Sequence, residues 1–123
     1  IRNLEEFKKL YESRPMPRQY DFNFLVGNPN LFCFYDEITG KLRGYITIQI
    51  EDGQLTLSGA SVRGNMPDNI NAIISVCNAF DEPVYSYTEK KEAALVLKKA
   101  GFVKLNKETY VRLQNGKKEI SQV

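Results

Sequence analysis

A carboxylate and a phenol are the groups in this sequence best suited to moving protons. Glu51 ends a β-rich run beside Asp52-Gly53, and a carboxylate in such a place can take up a proton through water. Asp52 itself is accounted for by the turn that an Asp-Gly pair makes. Tyr85 and Tyr87 lie two residues apart, so an extended segment presents both on one face, where a phenol can supply a proton. A core or half-buried aromatic pair is the plainer role for them. The sequence has no His, which excludes Ser-His-Asp and Cys-His catalysis, His-liganded metals and a His pH switch. Its two cysteines, Cys33 and Cys77, form neither a disulfide framework nor a CxxC motif. Both sit in apolar patterns that mark buried, unreactive thiols, and no metal is expected.

Charge and hydropathy narrow the class further. Seventeen basic and fifteen acidic side chains leave a net charge of +2 over 123 residues, too weak a field to argue for nucleic acid or an anionic membrane. Lys90, Lys91, Lys98 and Lys99 gather in one segment, but Glu89 and Glu92 interrupt them, and a solvated helix face is expected. No apolar run approaches the roughly twenty residues of a membrane span, and no secretory or lipidation signal is present. A soluble protein of the reducing cytoplasm is expected. With 42% apolar residues the length suits one domain, residues 1–114, with a charged flexible tail at 115–123. The chain opens on Ile1 rather than Met, so a trimmed N-terminus or a piece of a longer chain is expected.

The elements that must position these groups follow from periodicity. Asn3 can cap a helix and Glu6 can reach back to it, and Leu4, Phe7, Leu10 and Tyr11 recur at helical spacing, predicting a helix over 4–13. Pro15 to Asn30 has aromatics without a clean period and reads as a long loop with room for one short helical turn. Leu31–Tyr35 and Leu42–Ile50 predict a hairpin around Thr39-Gly40, and Asp52-Gly53 turns into a third strand, Gln54–Val62. In the second strand Gly44, Ile46, Ile48 and Ile50 alternate with Tyr45, Thr47 and Gln49, predicting that the first set faces the core. After a polar loop, Arg63–Asn69, a helix is carried by Ile70, Ile73, Ile74, Cys77 and Phe80. A strand at Pro83–Thr88, a helix at Glu89–Ala100 ended by Gly101, and a hairpin from Phe102–Leu105 and Thr109–Gln114 complete the order. This is an α+β class, with a mixed, mostly antiparallel central sheet and helices on its faces.

Ala93-x7-Gly101-Phe102, followed by a strand ending in Tyr110-Val111-Arg112, resembles the C-terminal half of the GNAT family of acyl-CoA N-acyltransferases, whose motif N-x-x-A-x-x-x-Y-x-x-x-G-F meets this chain at Lys90, Ala93, Leu97, Gly101 and Phe102. Three of those five positions agree. The resemblance covers roughly residues 31 to 114 as topology, and it implies a GNAT-like fold and acetyl-CoA or CoA as ligand. On it, Val62, Arg63, Gly64, Asn65 and Lys90 are the expected cofactor-binding positions. Glu51 would deprotonate an amine through water, and Tyr87 would protonate the leaving thiolate. The rim around Arg14, Arg18, Tyr20, Phe22 and Phe24 would face a partner or acceptor, or else be an irregular loop that its aromatics anchor on the core.

The departures from that family concern chemistry. Its pyrophosphate loop, [QR]-x-x-G-x-[GA], places glycines where phosphate oxygens approach backbone N–H groups. The stretch here is Arg63-Gly64-Asn65-Met66-Pro67-Asp68. Met66 and Asp68 hold the two glycine positions, Pro67 removes a donor, and Asp68 is expected to cap the following helix instead. Leu97 stands where the family usually has the Tyr that protonates the thiolate. Of the family's first strand, ahead of the first helix, only Ile1-Arg2 would remain, so that strand is expected to be missing or supplied from upstream. The expected function is therefore a GNAT-like domain with a degenerate acyl-CoA loop, acting as a binding, regulatory or structural module for a protein partner or as part of a larger polypeptide. The alternative is an acetyl-CoA-dependent N-acetyltransferase acting on a small amine, a lysine or an N-terminal amine.

Overall fold

The computed structural model describes residues 1–13, 21–62 and 66–114, with side chains described outside 59–62. The chain runs α1 (Leu4–Glu12), α2 (Phe22–Gly27), β1 (Leu31–Tyr35), β2 (Leu42–Glu51), β3 (Gln54–Val62), α3 (Met66–Cys77), β4 (Val84–Tyr87), α4 (Lys91–Lys99), β5 (Val103–Lys104) and β6 (Thr109–Arg112). The strands form one six-stranded sheet in the order β1-β2-β3-β4-β6-β5. Every neighbouring pair is antiparallel except β3 and β4, which are parallel. The turn at Asp52-Gly53 has positive φ at both residues, 51° and 76°, as a tight two-residue hairpin requires.

Helices lie on both faces. On one, α3 and α4 bury Ala72, Ile73, Val76, Cys77, Leu97 and Ala100 against Ile46, Ile48, Leu55, Leu57 and Val84 of the strands. On the other, Phe7 and Leu10 of α1 and Leu25 of α2 pack on Tyr45, whose side chain points away from that of Ile46 by the alternation of a strand. Phe7 has its ring 5.2 Å from that of Tyr45 and 5.8 Å from that of Phe22. This second core changes the reading of β2. Tyr45 and Thr47 are as buried as Ile46 and Ile48, whereas Ile50, expected in the core, is 71% exposed. The hydroxyl of Thr47 is satisfied by the Asn28 amide, Nδ2 to Oγ1 2.6 Å.

Three local expectations are corrected. Asn3 caps α1 by accepting from the Glu6 N–H, but the Glu6 carboxylate does not reach back. It accepts instead from the Leu42 N–H at 2.7 Å, joining α1 to the start of β2. The short helical turn expected in the loop is α2, set by Asp21 Oδ2, which accepts from the N–H groups of Asn23 and Phe24. The polar loop before α3 is shorter than expected, since the helix already begins at Met66. Pro67 belongs to its first turn, where a missing N–H costs no helical bond. Asp68 lies in that turn rather than at the cap, with Oδ2 3.9 Å from Arg43 Nη1. Arg14, Arg18 and Tyr20 of the expected rim, the Arg63–Asn65 stretch and the tail at 115–123 lie outside the described residues.

Candidate functional site

The parallel strands part almost as soon as they meet. β3 and β4 pair only at Leu55 with Val84 and Thr56 with Tyr85, although β3 runs on to Val62 and β4 to Tyr87. At the parting, the buried Ser86 hydroxyl donates across the gap to the Leu57 carbonyl, 3.3 Å. That side-chain bond satisfies a backbone acceptor which an uninterrupted ladder would have used. A cavity of about 500 Å³ opens there, with β3 and β4 as its floor and α3 and α4 as its walls.

Three sequence-predicted residues meet at this cavity: Glu51, Tyr87 and Lys90. Glu51 is exposed at the last position of β2 and pairs with Gln54 across the hairpin. Tyr87 is 51% exposed, and its hydroxyl donates to Gln54 Oε1 at 3.4 Å, so Gln54 holds the phenol beside the hairpin that carries Glu51. Tyr85 does not line the cavity with it. Lys90 is the N-cap position of α4 and supplies no side-chain cap; its N–H donates to Thr88 Oγ1, 3.1 Å. Val62 is the last residue of β3, and nothing is described of its side chain. Arg63, Gly64 and Asn65 lie outside the described residues.

Two further groups belong to the site and escape a reading of the sequence. Asn69 lines the cavity from the first turn of α3. Its Oδ1 is buried and accepts no hydrogen bond, a state that a ligand N–H would relieve. The signal was its spacing, four residues ahead of the buried Ile73, which puts both on one helix face. Ser86 is the second, a small hydroxyl inside an apolar strand. On the α4 wall Ala93, Val96 and Leu97 present only hydrocarbon. Leu97 is 4% exposed, so the wall offers no proton donor at that position. Burial pushes both thiols up, Cys77 to about 11, and neither lines the cavity. Among the described residues no group of His, Cys, Asp and Glu could hold a metal ion, and no helix is long and apolar enough to cross a membrane.

The arrangement can therefore take a slender, mainly apolar arm with an amide N–H, lodged between parting strands with the Glu51 carboxylate and the Tyr87 phenol at its rim. No protein-family model matches the sequence, and no curated protein matches it. Among solved structures, a Bordetella pertussis protein described as "Putative GnaT-family acetyltransferase" superposes with a TM-score of 0.64 over 88% of this chain and 86% of that one, at 11% identity. Identity so low speaks for architecture alone, here a six-stranded, mostly antiparallel mixed sheet with helices on both faces. This chain has the fold of the GNAT acyltransferases.

Proposed function

We propose that this domain is a GNAT-fold binding module that takes the pantetheine arm of acetyl-CoA or CoA into the β3–β4 cleft, and that acts in regulation or assembly more than in efficient transfer. The observation that carries the reading is the cleft itself: an open cavity of about 500 Å³ bounded on the α4 side by buried Leu97. Ser58 and Leu57 would flank the arm, and Asn69 Oδ1 would accept from one of its amide N–H groups. Nothing at residue 97 can protonate a departing thiolate. The bound molecule would supply a thioester; the chain's residues supply shape, one acceptor and exclusion of water. The module would present that ligand-dependent surface to a protein partner or to further segments of a larger polypeptide. The test is calorimetric titration with desulfo-CoA of the native chain and of Ala93→Phe, which fills the cleft from its α4 wall. Micromolar binding that Ala93→Phe abolishes supports the reading; no heat at millimolar ligand overturns it.

A second reading is favoured by the meeting of Glu51 and Tyr87 at the same cavity. In this reading the domain is an acetyl-CoA-dependent N-acetyltransferase. A neutral amine attacks the thioester carbonyl, the C–N bond forms and the C–S bond breaks. Glu51 accepts the amine proton through water, and the Tyr87 hydroxyl delivers a proton to the thiolate, with solvent returning the proton from Glu51 to Tyr87. Tyr87→Phe separates the two readings: ligand binding persists in both, and acetylation of a panel of primary amines is present and then lost only in the second.

A further inference from the structure

The positive charge of this nearly neutral chain is concentrated in one place. Residues 89–114 carry seven basic and three acidic side chains, while residues 1–88 carry eight basic and eleven acidic ones. A groove of about 350 Å³ runs between α4 and the β5–β6 hairpin, with Lys90, Lys91 and Lys98 on one side and Lys104 and Lys107 on the other. Lys91 and Lys98 stand two helical turns apart, about 10 Å along the axis. Glu89 is the one carboxylate among the groove's lining residues. Five lysines line this small space, and a multiply charged anion bound there would offset the mutual repulsion of their ammonium groups.

The groove also meets the cleft, since Thr88 and Lys90 line both cavities. A ligand whose arm lies between β3 and β4 can thus pass the start of α4 and place its other end among the lysines. Among the described residues at the start of α3, Pro67 has no N–H to offer an anion and Asp68 brings a carboxylate, 3.9 Å from Arg43. We infer that the phosphate end of a phosphorylated pantetheine ligand is held by the lysine groove of α4 and the β5–β6 hairpin rather than at the start of α3. This rests on the proposed occupancy of the cleft by a pantetheine arm. Lysines hold phosphate as point charges without the bidentate geometry of arginine, so the contact adds affinity and strong salt dependence but little selectivity among phosphate esters.

The test compares pantetheine, 4′-phosphopantetheine and CoA by calorimetric titration at 50 and 500 mM salt, on the native chain and on the double variant Lys98→Gln/Lys104→Gln. Both lysines are exposed, so the fold is retained, which circular dichroism confirms. The expected result is tighter binding with each added phosphate. The double variant should weaken CoA by about tenfold, the scale of two exposed ion pairs, and leave pantetheine within about twofold. High salt should act on CoA in the same direction. If the double variant keeps the full preference for CoA over pantetheine, the lysine groove is not the phosphate site and the cleft reading stands. If neither pantetheine nor CoA binds the native chain, both readings fall together.

Discussion

Replacing Leu97 with Tyr tests the proposal that the lack of a phenol on the α4 wall makes this domain a poor transferase. Leu97 is 4% exposed and borders the cavity of about 500 Å³, so the larger ring has room on one side only. Enlarging a well-packed core side chain costs about 1–3 kcal/mol, and the adjoining space puts this substitution at the low end, about 1 kcal/mol. For a chain of this length that lowers Tm by about 4 °C. Leu97→Phe carries nearly the same packing change without the hydroxyl and serves as the reference. A correctly placed general acid contributes about 10²–10⁴-fold to rate, so Leu97→Tyr is expected to exceed Leu97→Phe by at least about a hundredfold. The assay is mass-spectrometric detection of amide product from acetyl-CoA and a panel of primary amines. A folded Leu97→Tyr that binds desulfo-CoA like the native chain yet transfers no faster than Leu97→Phe would refute the argument that thiolate protonation is the missing step.

Other consequences are more local. Arg112 Nε donates to the Ala100 carbonyl at 2.8 Å and Nη1 to Asn78 Oδ1 at 3.2 Å, tying the ends of α4 and α3 to β6; Arg112→Met should cost about 1.5–3 kcal/mol, read by urea denaturation. Burial pushes the Cys77 thiol up to about 11, so a disulfide reagent at pH 8 should leave Cys77 unmodified in the folded protein and modify it promptly in denaturant, checked by peptide mass mapping. The exposed Asp36 carboxyl lies below its ordinary pKa because its Oδ1 accepts from the Thr39 and Ile38 N–H groups, the Thr39 bond weighing most. A depressed folded pKa stabilises the β1–β2 turn above the ordinary value of 3.8 and loses that contribution as pH falls through the folded value. Asp36→Asn should flatten this acid limb of the stability profile, measured by thermal melts between pH 2 and 6.

The parts of the fold legible in the sequence are those that neighbouring residues decide. Asp52-Gly53 announces its hairpin because few other pairs accept positive φ twice in succession. Gly101, at φ 99°, ends α4 because Gly tolerates that conformation most easily. The second core was hidden. Alternation along β2 named one buried face, and nothing local says that α1 and α2 cover the other, so Tyr45 and Thr47 looked like an outer face. The start of α3 is obscured because Pro67 reads as loop, although a proline in the first turn suits a helix.

Much of the site was legible as residue types and less of it as geometry. Glu51, Tyr87 and Lys90 stand out by chemistry and by resemblance, and all three line the cleft. The cleft exists, however, because β3 and β4 share only two register pairs, and the length of a parallel ladder depends on how two distant segments pack. For the same reason Asn69 passed for a loop residue and Ser86 for an ordinary strand position. Their roles, an acceptor without a partner and a hydroxyl bridging the parting strands, arise only once α3 and β4 are placed against β3.

The central claim is that the β3–β4 cleft receives a pantetheine arm, and backbone amide chemical-shift mapping during a CoA titration tests it most directly. The account predicts saturable shifts at Leu57, Ser58, Asn69 and Ser86 through Lys90, and little change in α1 and α2 on the far face. Saturable shifts confined to another surface, or none at millimolar CoA, would contradict it.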